Sequence, residues 1–214
     1  YDHIRPYHNH EVNKALSELS THPMVKSMLK FIYPQASDEY IQERLKNCNS
    51  IRDFQTKIIA RGIQNVLSRS SHGLTTSGFE ELDKDTAYFY ISNHRDILLD
   101  TCLLNISLFN HDLVMTASAI GDNLVQKSFL LELAKLNRNF LVQRGLSPRE
   151  MLKSSKLMSE YIAKNILEDN RSVWIAQREG RTKDGNDMTQ QGVLKMMALG
   201  KGDLSAFDYF KKIK

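Results

Sequence analysis

The chain has 214 residues, 41% of them hydrophobic and 25% charged, with no long low-complexity tract. That composition excludes a disordered or fibrous protein and suffices for one α/β domain with extra helices. The net charge of +4 suits anionic substrates or an anionic membrane surface, and the basic residues are dispersed among acids, so nucleic acid is not an expected partner.

Cys48 and Cys102 stand 54 positions apart (102 − 48) and match neither a metal spacing nor a disulfide framework, so reduced, partly buried thiols are expected. No signal peptide is visible, and no apolar run is long enough to span a bilayer. The longest, from Ile97 to Phe109, is broken by Asp100 and Asn105. The opening at Tyr1 and the abrupt end at Tyr209-Phe-Lys-Lys-Ile-Lys214 lead us to expect truncation at both termini.

Residues 1–71 read as a helical segment. Val12, Leu16 and Leu19 recur at helical spacing, and Pro23 fits the first turn of a second helix. That helix carries Met24, Val25, Met28, Leu29, Phe31 and Ile32 with Lys26 and Lys30 among them. A membrane-surface helix is one reading, and an ordinary helix packed on the core is the favoured one. Pro34 ends it, Asp38 and Glu39 suit the start of a third helix, and Ser50-Ile-Arg-Asp53 forms a capping box. Ile51, Phe54, Ile58, Ile59, Ile63, Val66 and Leu67 then share one helical face. His8 and His10 alone fall short of a metal site, and none is expected.

From residue 72 to 214 the pattern becomes α/β. An apolar run from Tyr88 reads as a buried strand and breaks at Asn93-His94, where a helix from Ile97 to Phe109 follows. Leu113 to Ala117 predicts a second strand, Gly121 to Leu136 a helix, and Asn139 to Arg144 a third strand. Ser147-Pro-Arg-Glu150 is an unusually complete helix start, with the helix running to about Leu167. Ser172 to Gln177 predicts a strand, Arg178 to Gly185 a loop, and Gln190 to Leu199 a helix. This βαβ rhythm implies a mixed, largely parallel sheet flanked by helices. A histidine at the C-terminal edge of a strand lies where such sheets hold their chemistry, and Asp96 or Asp100 can orient it as a general base.

Three stretches together resemble the glycerophospholipid acyltransferase family: Asn93-His94 through Asp100, Asn139 through Arg144, and Glu179-Gly-Arg-Thr-Lys-Asp-Gly185. The resemblance covers roughly residues 72–200. The family pattern is Asn-His, four residues, then Asp, and here Leu99 stands at the Asp position with Asp100 one place later. The third stretch fits after a one-residue deletion that brings Arg181 next to Gly180. The resemblance implies that His94 takes a proton from a glycerol hydroxyl and that Asp100, or Asp96, orients its ring. It further implies that Arg144, Glu179, Gly180, Arg181 and Lys183 form the substrate side, the arginines and lysine binding anions and Glu179 organising the loop. For Arg144 a plain surface arginine, and for the loop a plain exposed turn, are the competing readings.

The implied reaction moves a fatty acyl group from acyl-CoA or acyl carrier protein to glycerol 3-phosphate or a lysophospholipid. No metal or resident cofactor is implied, the acyl donor being a co-substrate. The implied place is the cytoplasm, at the inner face of the membrane. Two further readings keep the fold and change the function: an acyltransferase acting on an amino-acid-derived lipid, and a catalytically inactive lipid- or acyl-carrier-binding protein. His-Arg-Asp also opens the protein-kinase catalytic loop, but Thr101 stands where that loop needs Asn, and neither a Gly-rich loop nor Asp-Phe-Gly accompanies it.

Overall fold

A computed structural model describes residues 1–184 and 188–213. In chain order the elements are α1 (Asn9–Thr21), α2 (Pro23–Ile32), α3 (Asp38–Lys46), α4 (Ile51–Asp53), α5 (Ala60–Ser70), β1 (Phe89–Ser92), α6 (Leu99–Asn110), β2 (Thr116–Gly121), α7 (Ser128–Leu136), β3 (Asn139–Val142), α8 (Pro148–Leu167), β4 (Ser172–Ala176), α9 (Gln191–Met197) and α10 (Ala206–Lys212). A π-helical stretch, Phe54–Ile59, joins α4 to α5. The chain divides into two compact units, one of residues 1–4, 78–123 and 141–214, the other of residues 5–77 and 124–140.

The helical unit is held by one apolar cluster. Val12, Leu16 and Leu19 of α1, Val25 and Leu29 of α2, Ile41 and Leu45 of α3, and Ile51, Phe54 and Ile58 meet Phe129 and Leu136 of α7 there. Its caps follow from local chemistry. Ser37 accepts from the Tyr40 amide, and Ser50 from the Asp53 amide at 3.0 Å. The Asp53 carboxylate reaches one residue beyond the expected reciprocal partner and accepts from the amide of Asn49 at 3.0 Å. On α2 the favoured core reading holds for Val25 and Leu29, which are buried, whereas Met24, Met28 and Phe31 are exposed.

The other unit carries β1, β2, β4 and residues 141–142 of β3; the strand order is β1-β4-β2-β3, and the sheet is parallel throughout. β4 lies centrally: Phe89 pairs with Val173 and Ser92 with Ala176 on one side, and Thr116 pairs with Ser172 on the other. As expected of a strand covered on both faces, Ser172, Val173, Trp174 and Ile175 are all buried. Helix α8 packs on β4 and on α9. Its start has the full reciprocal cap, the Ser147 amide donating to Glu150 at 3.0 Å.

Two elements are displaced by three residues or more at an end. The second strand occupies 116–121 rather than 113–117, because the α6 terminus is closed by Asp112 at φ 57° and by the Leu113 amide donating to the carbonyl of Leu108. Leu113 and Met115 thus serve as buried packing residues before the strand begins. The helix expected from Gly121 starts only at Ser128, since Gly121 ends β2 and a short 3₁₀ turn, Asp122–Leu124, intervenes.

Candidate active site

In a parallel sheet all strands end at the same edge, so the loops after neighbouring strands lie together there. The loop after β1 carries His94, and the loop after the adjacent β4 carries residues 178–184. The ladder continues one step past the strands, with the Gln177 amide donating to the carbonyl of Ser92 at 2.8 Å. Beyond it, the Thr182 amide donates to the carbonyl of His94 at 2.7 Å. The two loops are thus hydrogen-bonded to each other at His94.

Nδ1 of His94 lies 2.7 Å from Oδ2 of Asp100. That same oxygen accepts from the amides of Arg95 at 2.8 Å and Asp96 at 3.1 Å. A carboxylate oxygen can only accept from these amides, and its contact with the ring makes Nδ1 the protonated nitrogen of a neutral imidazole. Nε2 is then the nitrogen left to take a proton. The His94 and Asp100 side chains are 17% and 22% exposed, enough for a substrate to reach and little enough to strengthen the pair.

Asp96 does different work. Its Oδ1 accepts from the amides of Leu98 at 2.9 Å and Leu99 at 2.8 Å, so it closes the turn and caps α6. Those two amides, then Arg181 and His94, hold its carboxyl below the ordinary carboxylate range. Of the two candidates for orienting His94, Asp100 is the one in contact with the ring, and the extra residue in the turn is absorbed by the Asp96 cap.

Trp174 completes the frame from β4. Its ring meets the His94 ring edge-on, with centroids 5.6 Å apart, and its Nε1–H donates to Oγ of Ser92 at 2.9 Å. Ser92 in turn donates to the carbonyl of Asn93 at 2.9 Å. Sequence reading missed Trp174, Ser92 and Thr182. A lone buried aromatic in an apolar strand gives no signal beyond core packing, and the pairing of β1 with β4 spans more than eighty residues.

The remaining candidates sit on the same sheet edge. Arg144, just after β3, donates through Nη1 to Oε1 of Glu179 at 2.8 Å, while its amide donates to Oδ1 of Asp122 at 3.1 Å. The guanidinium is therefore matched by a carboxylate from the loop, consistent with Glu179 organising that loop. The Glu179 amide donates to Oε1 of Gln190 at 3.2 Å. Gly180 turns the chain at φ 71°, a conformation that disfavours a side chain. The amides of Glu179 and Thr182 are bonded within the protein, so these two do not face outward as the anion-facing amides expected of this loop. Arg181 and Lys183 are exposed, and Gly185 lies outside the described residues.

A cavity of about 600 Å³ lies in the helical unit, lined by Tyr33, Pro34, Tyr40, Asn65 and Arg69, and none of its lining residues belongs to this site. Among the described residues no cluster of three His, Cys, Asp or Glu side chains is arranged to hold a metal ion, and no helix is long and apolar enough to cross a membrane.

The family model described as Acyltransferase matches residues 73–203. The chain belongs to the acyltransferase family. That match spans all three stretches and both loops that meet at His94. No curated protein matches the chain.

Proposed function

We propose that this acyltransferase moves a fatty acyl group from the thioester of acyl-CoA or acyl carrier protein to a hydroxyl of glycerol 3-phosphate or a lysophospholipid such as lysophosphatidate. The observation that carries the reading is the His94–Asp100 contact at 2.7 Å, which reserves Nε2 for the acceptor hydroxyl. His94 takes the hydroxyl proton as the oxygen attacks the thioester carbonyl carbon. Asp100 stabilises the imidazolium that results. The tetrahedral intermediate collapses, the C–S bond breaks, and the proton on Nε2 passes to the departing thiolate. An ester and a free thiol are formed, and no cofactor beyond the donor thioester is needed.

Arg144, with Arg181 and Lys183, supplies the positive side that an acceptor phosphate requires. Glu179 then acts as a placeholder on Arg144 that the phosphate displaces. The net charge of +4 supports work at an anionic membrane surface, and we place the protein at the cytosolic face as a peripheral enzyme. The pairing of Arg144 with Glu179 favours one further acceptor class, amino-acid-derived lipids that bring no phosphate.

Thiol release from palmitoyl-CoA, measured with glycerol 3-phosphate, lysophosphatidate, a hydroxyl-bearing amino-acid-derived lipid or no acceptor, tests the proposal. Release that depends on a phosphate-bearing acceptor supports it. Release only with the amino-acid lipid moves the assignment to that class, and donor binding without release under any condition turns it to a binding protein.

A further inference from the structure

Resting on that reading of the His94 site, we propose that Ile97 and Leu98 form the platform on which the acyl chain of the donor thioester lies. They stand between His94 and Asp100 in the chain and are 43% and 61% exposed. Singly exposed apolar side chains are ordinary on protein surfaces and need no account. These two are adjacent and rigidly presented. The turn that bears them is tied at four backbone amides, those of Arg95 and Asp96 to Asp100 and those of Leu98 and Leu99 to Asp96. Carboxylate bonds of this kind are among the stronger ones available to a loop.

Position identifies the occupant. The thioester carbonyl has to come within reach of a nucleophile activated at Nε2 of His94, so the first carbons of the acyl chain leave from that point. Leu98 stands four positions after His94, a stretch that spans at most about 14 Å. That is shorter than an extended palmitoyl chain. A long acyl group leaving the reacting carbon therefore meets apolar surface if it runs along the turn, and covering Ile97 and Leu98 removes apolar area from water on both partners.

The single tryptophan, Trp174, packs against the His94 ring and gives a fluorescence reporter that does not depend on turnover. Palmitoyl-CoA, octanoyl-CoA and free CoA are titrated into the whole chain and into the Ile97→Asn and Leu98→Asn variants, with thermal unfolding as a check on folding. Each substitution is expected to weaken palmitoyl-CoA binding about tenfold, as loss of one partly buried Leu or Ile contact implies. Octanoyl-CoA should lose less, and CoA nothing. Equal palmitoyl-CoA affinity in folded variants, or no chain-dependent binding by the unmodified protein, overturns the proposal. So does loss of binding to phosphatidylglycerol–phosphatidylcholine vesicles with palmitoyl-CoA binding intact, which would make these residues a bilayer contact. A chain that binds palmitoyl-CoA as expected yet transfers nothing leaves the platform standing and removes the catalytic reading.

Discussion

The amide of Thr182 donates a 2.7 Å hydrogen bond to the carbonyl oxygen of His94, tying the loop after β4 to the backbone of the residue whose ring contacts Asp100. Thr182 is 6% exposed, and its hydroxyl has no hydrogen-bond partner among the described residues. The amide carries the connection and the hydroxyl contributes nothing visible. Thr182→Val keeps the amide and the shape while removing a buried unpaired polar group, a change that is near neutral or stabilising. We expect equal or higher Tm and retained acyl transfer, measured by thermal unfolding and thiol release.

The two carboxylates of the turn should separate in mutagenesis. Asp100→Asn replaces the acceptor that fixes the His94 tautomer, and kcat is expected to fall on the order of a thousandfold or more with stability little changed. Asp96→Ala removes the cap of α6 and should cost about 1 kcal/mol of stability. Urea unfolding and steady-state kinetics on both variants check the division.

Glu179→Gln releases Arg144 from its carboxylate partner. The pair is exposed, at 40% and 72% for the two side chains, so its loss costs little stability. If Glu179 holds the place of a phosphate, KM for a phosphate-bearing acceptor falls up to about fivefold, the upper range for an exposed pair. A raised KM would instead make Glu179 a support that Arg144 needs.

Gly200 follows α9 where it crosses α8. Oγ of Ser159 donates to the carbonyl of Met197 and accepts from the Gly200 amide at 2.9 Å. A methyl group on Gly200 would stand 2.7 Å from that oxygen and 3.1 Å from the backbone nitrogen of Glu160. Gly200→Ala is therefore expected to destabilise the chain by about 1–3 kcal/mol, read by chemical denaturation.

Acid should weaken both units through named carboxylates. The Arg5 guanidinium, 2.7 Å from Glu11, holds the Glu11 carboxyl at about 2, against an ordinary 4.5. A folded-state value below the unfolded one gives stability that is fully present above the ordinary value and lost as pH falls through the folded one. The same sign holds for Asp96, held down first by the amides of Leu99 and Leu98. Tm of Glu11→Gln should lie below that of the parent at neutral pH and converge with it as pH falls from 4.5 toward 2.

Local chemistry made much of this fold legible. Ser147-Pro-Arg-Glu150 marks a helix start because each residue meets a need of the first turn, and the α/β alternation after residue 72 predicts a largely parallel sheet. The π-helical stretch at Phe54–Ile59 was not legible, since its residues continue the apolar face of an α-helix without a break. In the site, His94 and Asp100 lie six residues apart and share a turn, so the sequence held both. Which aspartate faces the ring was decided by the backbone, whose amides divide Asp96 and Asp100 between capping and orienting. The contacts of His94 with Thr182 and Trp174, and of Arg144 with Glu179, depend on β4 inserting between β1 and β2, which no local pattern announces.

Acyl transfer by His94 is the central claim, and the most direct measurement is single-turnover transfer from radiolabelled palmitoyl-CoA to glycerol 3-phosphate and to lysophosphatidate, by the whole chain and by His94→Ala. The account predicts labelled ester with at least one of these acceptors and loss of at least a hundredfold in rate in the variant, the lower range for removing a general base. Equal rates in a folded His94→Ala variant would contradict it.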